Sequence, residues 1–248
     1  MVLGKGFPVV FTDLDGTLLD RNTYSIGKAE EGLKLLKSKG IPIVFCTSKT
    51  FAENMHYMKK IGVKDPFVVE NGGAIFIQNG YFKVDFEFQR IVEGMKVIET
   101  GTDPEKLREA VKKIKEVFDI MTFDDMTKEE LMEETDLPVH LAELAKQRCY
   151  DIPFKIIKGG ETEVREMIGK LGFNYTKGGR FHHITGENDK GKAVKILADL
   201  YRKDRGKVIT YGLGDAENDK PMLEAVDHGY LLTGGPAEWN RKIMEWFS

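Results

Sequence analysis

Two carboxylates one residue apart, Asp13 and Asp15, close the run Val9-Val10-Phe11-Thr12-Asp13-Leu14-Asp15-Gly16-Thr17. In an extended chain such residues share a face, so both side chains can address one spot. Charge at the carboxyl end of a buried strand is costly unless a metal, a cation or substrate chemistry uses it. Alone, the pair reads as two solvated acids at a strand exit. Three further positions change that reading: Thr47-Ser48-Lys49 after the apolar run 41–46, Lys190 at the start of a helix, and Asp215, Asn218 and Asp219 after the run 207–214. Parallel, adjacent strands would bring all four groups to one sheet edge. Carboxylates, a hydroxyl and a lysine suit the holding of a phosphoryl group with Mg²⁺, a hard cation that takes oxygen ligands. One carboxylate can attack phosphorus, while a second, Asp15, protonates the leaving alkoxide and later deprotonates water. The metal and Lys190 would neutralise the equatorial oxygens.

The elements needed to position these groups follow from hydrophobic periodicity. Strands are predicted over 9–12, 41–47 and 67–70, with helices over 29–39 and 51–61 between them, an order that implies a parallel sheet. Gly40 is placed to end the first helix. Runs 74–78 and 81–84 read as a β-hairpin across Asn79-Gly80. Segment 85–187 is more polar and mixes strands near 95–99, 153–157, 173–176 and 180–185 with helices over 104–118, 128–134, 139–148 and 162–171. Asp103 is the N-cap of the first of these helices. The α/β pattern then resumes with a helix over 190–201, a strand over 207–215, a short helix near Asp219, a strand over 229–232 and a closing helix over 236–247. The expectation is a doubly wound parallel-sheet (Rossmann-like) α/β core, residues 1–84 and 188–248, with an inserted α+β cap at 85–187.

The four motifs, in this order over essentially the whole chain, resemble those of haloacid dehalogenase superfamily phosphatases. Asp13-Leu14-Asp15-Gly16-Thr17 matches the first motif without a gap, Thr47 the second, Lys190-Gly191 the third, and Gly214-Asp215-Ala216-Glu217-Asn218-Asp219 the fourth. The resemblance implies that Asp13 is the nucleophile and a metal ligand. It implies that Asp15 is the acid/base and binds the metal through its carbonyl. Thr47 and Lys190 would hold the phosphoryl oxygens, and Asp215 would complete the protein's share of the Mg²⁺ shell, with Asn218 and Asp219 positioning its waters and Lys190. The cap resembles that of the superfamily's sugar-phosphate branch. Many members of that branch have Thr-Gly-Arg at the second motif, where this chain has Thr47-Ser48-Lys49-Thr50. With Glu70-Asn71-Gly72-Gly73 and Gly179-Arg180-Phe181-His182-His183 it resembles the members that act on mannosyl-3-phosphoglycerate, and the resemblance implies this phosphorylated sugar–glycerate as the small-molecule substrate. Arg180 and His182 are the candidates for its glycerate carboxylate and sugar, and Ser48, Lys49 and Asn71 are further binding candidates. Sucrose phosphate or hexose phosphate hydrolysis, or a phosphohexomutase reaction, is the alternative within the fold. A non-catalytic phosphosugar-binding regulator is the alternative outside it.

Composition agrees. A net charge of −3 with interspersed signs gives no case for nucleic acid or an anionic membrane. No apolar run approaches the ~20 residues of a membrane span, and Met1–Gly6 has no signal-peptide core. Cys46 and Cys149 lack ligand-like spacing, which suits a reducing cytoplasm. Few Gln beside abundant Lys and Glu is a bias of heat-stable proteins. An EF-hand loop would need its glycine sixth rather than fourth, and no P-loop motif is present. Gly212-Leu213-Gly214 lacks the third glycine of a dinucleotide site. His56 and His140 read as surface residues, and Met55 and Met58 as core packing.

Overall fold

A computed structural model describes residues 6–135, 137–178 and 180–248. Most of the N-terminal stretch read above for a leader, and Gly179 of the Arg180 motif, lie outside them. The first segment carries β1 (Phe7–Thr12), α1 (Glu30–Ser38), β2 (Ile43–Phe45), α2 (Phe51–Ile61), β3 (Phe67–Val69), β4 (Ala74–Gln78), β5 (Arg90–Val92) and β6 (Met95–Glu99). Next come α3 (Pro104–Lys115), β7 (Asp119–Thr122), α4 (Lys128–Thr135), α5 (Val139–Ala145), β8 (Asp151–Lys158), α6 (Glu161–Lys170), β9 (Asn174–Gly178) and β10 (Phe181–Thr185). The chain closes with α7 (Lys190–Arg205), β11 (Val208–Gly214), α8 (Lys220–Glu224), β12 (His228–Leu231) and α9 (Gly235–Phe247).

The parallel sheet runs β12-β11-β1-β2, and a parallel bridge between Cys46 and Val68 carries it to β3. Side chains alternate across β1 as its two-residue period demands. Val10 joins the cluster built from α1, α2 and α9, with Leu33, Leu36, Trp239 and Ile243, whereas Val9 and Phe11 face α7 through Ala193, Val194 and Leu197. Both faces are covered by helices, so the strands read as near-continuous apolar runs.

The sequence expectation departs from the structure at residues 81–84, which form no strand. Tyr81 donates to Asp65 Oδ1 at 2.7 Å and its hydroxyl meets that of Tyr201 at 2.8 Å, while the Phe82 ring packs edge-on against Tyr201. Neighbouring side chains in a strand point to opposite faces, so both cannot reach α7 from one. The partners of β4 are instead β3 and β6, in an antiparallel sheet ordered β3-β4-β6-β5 that extends past residue 85. β5 and β6 are joined by Glu93-Gly94, both with positive φ (47° and 78°), the two-residue turn that suits a twisted hairpin. The elements from α3 to β10 make a second unit with an antiparallel sheet β7-β8-β10-β9, on one face of which α3 and α6 pack through Leu107, Ile114, Val164 and Ile168. Among the described residues, no helix is long and apolar enough to cross a membrane.

One carboxylate ties the two units together. Glu70, buried just past β3, accepts from the backbone N–H groups of Cys149, Tyr150 and Asp151 at 3.0, 2.7 and 2.9 Å. Glu70→Ala would leave these donors unsatisfied in the interior, at an expected cost of about 3 kcal/mol. For a chain of this size that lowers Tm by roughly 6–12 °C. A calorimetric shift under a degree or two would show that the clamp carries no weight.

Candidate active site

β1 lies between β11 and β2, so the loops leaving these strands diverge to either side and open a crevice at their carboxyl ends. The loop after β1 turns at Gly16, which has φ +80° and lies so close to Asp215 that a Cβ there would stand 2.5 Å from its Oδ2. Only glycine meets both demands. The same crowding holds at Gly191, where a Cβ would meet the Pro221 carbonyl at 2.4 Å. That contact seats the first turn of α7 against α8. Asp189 caps α7 by accepting from Gly191 and Lys192 N–H, which fixes the direction in which Lys190 leaves the helix.

Lys190 is 1% exposed and donates to Asp13 Oδ1 at 2.9 Å and Asp219 Oδ1 at 2.6 Å. Burial works against its charge, but the two carboxylates more than offset this and hold the ammonium above its ordinary pKa. Burial pushes Asp13 up to about 7 against the pull of Lys190. Asp219 Oδ2 accepts from the N–H groups of Asp215 and Ala216 at 2.9 and 3.0 Å, so both of its oxygens are engaged. These bonds tie Asp219 to Lys190 and to the loop after β11. Asp215 accepts from Thr17 Oγ1 at 2.8 Å and from the exposed Arg21 at 2.5 Å. Carboxylate oxygens of Asp13, Asp215 and Asp219 lie within 4.8 Å of one another. Such a cluster of hard oxygen donors fits a divalent cation. Asn218 is exposed and turned aside, donating to Asn71 Oδ1 at 2.9 Å.

A cleft of about 650 Å³ opens beside Lys190, between the parallel sheet and the second unit. Ser48, Asn71 and Asn218 line its lower wall, and Thr176, His183 and Thr185 its upper one. Thr47 is fully buried at the end of β2. Three expected binding residues, His182, Lys49 and Arg180, are not among those that line it. His182 falls on the helix-covered face of β10, its ring against Phe154 and its Nδ1 2.6 Å from the Tyr175 hydroxyl. The two-residue period of the strand gives the cleft position to His183, which sequence reasoning passes over. Its Nδ1 is 2.7 Å from Asp151 Oδ1, a fully buried carboxylate that also accepts from Asn71 Nδ2 at 3.4 Å. Lys49 lies not in the cleft but beneath it, 4% exposed and 2.7 Å from Asp15 Oδ2. Arg180 is exposed at the turn between β9 and β10.

A family model for haloacid dehalogenase-like hydrolases matches residues 10–239. This chain belongs to that family. The family's fold recurs in a Bacteroides thetaiotaomicron phosphatase of the haloalkanoate superfamily, with a TM-score of 0.65 and 19% identity over 97% of this chain and 90% of that one. It recurs also in Thermoplasma acidophilum 0175, with a TM-score of 0.64 and 16% identity over 97% and 98%. Closer in sequence is the glucosyl-3-phosphoglycerate/mannosyl-3-phosphoglycerate phosphatase of Methanococcoides burtonii, 41% identical over 96% of both chains. The mannosyl-3-phosphoglycerate phosphatase of Pyrococcus furiosus is likewise 41% identical, over 90% of both.

Proposed function

We propose that this protein is a cytoplasmic, Mg²⁺-dependent phosphomonoesterase that hydrolyses mannosyl-3-phosphoglycerate to mannosylglycerate and phosphate through an aspartyl-phosphate on Asp13. The reading rests above all on Lys190, buried between Asp13 and Asp219 at the foot of a cleft large enough for a phosphorylated disaccharide-sized ester. Two relatives whose names carry that substrate, each 41% identical over most of both chains, support it. Two free cysteines, Cys46 and Cys149, accord with a reducing compartment.

In this reading the cation is held by Asp13, Asp215 and the Asp15 carbonyl, and it supplies positive charge for the phosphoryl oxygens. Asp13 attacks phosphorus. Lys190 and the Thr47 hydroxyl hold the equatorial oxygens in line, and Asp15 gives a proton to the departing alkoxide and takes one from the attacking water. The sheet of β7–β10, inside the 85–187 segment, serves as the cap. Ser48, Asn71 and His183, which line the cleft, address the sugar–glycerate part.

The deciding experiment measures phosphate release from mannosyl-3-phosphoglycerate, glucosyl-3-phosphoglycerate, sucrose phosphate and hexose phosphates, with Mg²⁺ and after chelation. The expected result is a preference for the two phosphoglycerate esters and loss of turnover by roughly a hundredfold or more without the cation. Preference for a plain hexose phosphate would overturn the substrate, and undiminished turnover after chelation would overturn the metal.

A further inference from the structure

Asp15 has one carboxylate oxygen with a partner and one without. Oδ2 is 2.7 Å from Lys49 Nζ, whereas Oδ1 is buried with no hydrogen-bond partner. Lys49 is itself enclosed: its Nζ lies 3.4 Å from Glu53 Oε1 and 5.3 and 5.4 Å from the ring centres of Tyr24 and Tyr57. Tyr24 has φ +53°, a conformation that a bulky residue keeps only where its surroundings force it. Glu53 in turn closes a capping box with Thr50 at the start of α2. A buried ammonium caged by two rings and anchored to a capped helix is an expensive arrangement for structure alone. Its ammonium meets the proposed machinery at Asp15, and its backbone N–H donates to the Thr47 hydroxyl at 3.3 Å.

We infer that Lys49 is the positioning residue for the acid/base: by occupying Asp15 Oδ2 it fixes the orientation of the carboxyl group and leaves Oδ1 as the atom that transfers the proton. The inference rests on the phosphatase reading above. As the bond between Asp13 and phosphorus forms, the bond from phosphorus to the ester oxygen breaks. That oxygen keeps the electron pair and takes the proton of Asp15 Oδ1. Water then attacks phosphorus and gives its proton to Oδ1, the electron pair of the Asp13–phosphorus bond returns to Asp13, and inorganic phosphate leaves.

A poorly positioned acid harms esters whose leaving oxygen needs a proton, and spares those that depart as a stable phenolate. The test compares kcat/KM for mannosyl-3-phosphoglycerate, or the alkyl phosphate that the wild type uses best, with kcat/KM for p-nitrophenyl phosphate. Lys49→Met is expected to lower the first by about 30-fold or more and the second by less than about fivefold, with Lys49→Arg restoring part of the difference. Lys49→Met/Glu53→Gln, which relieves the carboxylate left buried, is measured beside it, so that a folding defect in the single variant does not decide the result. Asp15→Asn provides the reference. If it discriminates between the esters and both lysine variants lower them equally or not at all, the inference falls. If Asp15→Asn does not discriminate either, the reading of Asp15 as the acid falls, and the role of Lys49 with it.

Discussion

Asp13→Asn is expected to lower phosphate release by about four orders of magnitude, the scale of losing a covalent nucleophile, and to leave the fold intact. The amide has the shape of the carboxylate but no lone pair able to displace an alkoxide. Stability should not suffer, because burial already disfavours the charge at this position and pushes Asp13 up to about 7. Lys190 keeps its 2.6 Å bond to Asp219 in the variant. Phosphate assays paired with calorimetry check both halves. Turnover above about one part in a hundred of wild type would remove Asp13 from the nucleophile's role.

Lys190→Met is expected to combine a catalytic and a structural loss. Removing a preorganised cation from the phosphoryl oxygens costs about 10²–10³ in kcat. Removing one partner from a buried charge cluster costs about 3–5 kcal/mol of stability, since Asp13 and Asp219 are then left without their counter-ion. The double variant Lys190→Met/Asp219→Asn separates the two. It should recover much of the lost Tm, because one stranded carboxylate is gone, and none of the lost rate, because the cation is still missing. Recovery of activity together with stability would mean that Lys190 acts only as a strut.

The strands that carry Asp13, Thr47 and Asp215 are legible in the sequence because a sheet covered on both faces needs unbroken apolar runs, and those runs end abruptly in polar groups. The motif glycines are legible for a related reason: at Gly16 the neighbouring chain leaves no room for a Cβ. Segment 85–187 is harder to read. β5 and β7 are only three and four residues long, too short for a two-residue period to stand out. Residues 81–84 carry the composition of a strand, yet their aromatic side chains are claimed by Tyr201, over a hundred positions away. His182 and His183 differ only in strand parity, which depends on where β10 enters its sheet. The pairing of Lys49 with Asp15 is likewise invisible along the chain, since it exists only because β2 lies beside β1.

The register of β1 bears on how the molecule is made. Phe7 through Thr12 pair with Val208 through Leu213, and the Thr12 hydroxyl accepts from the indole N–H of Trp239 in the closing helix. At the usual pace of synthesis, the nucleophile's strand waits on the order of ten to forty seconds for its neighbour to emerge. The sheet of β7, β8, β10 and β9 draws on a continuous stretch of chain and has no such delay. During translation the substrate-facing unit can therefore be folded while the catalytic one is still half a sheet with an open edge. That edge is the surface a chaperone would have to shield.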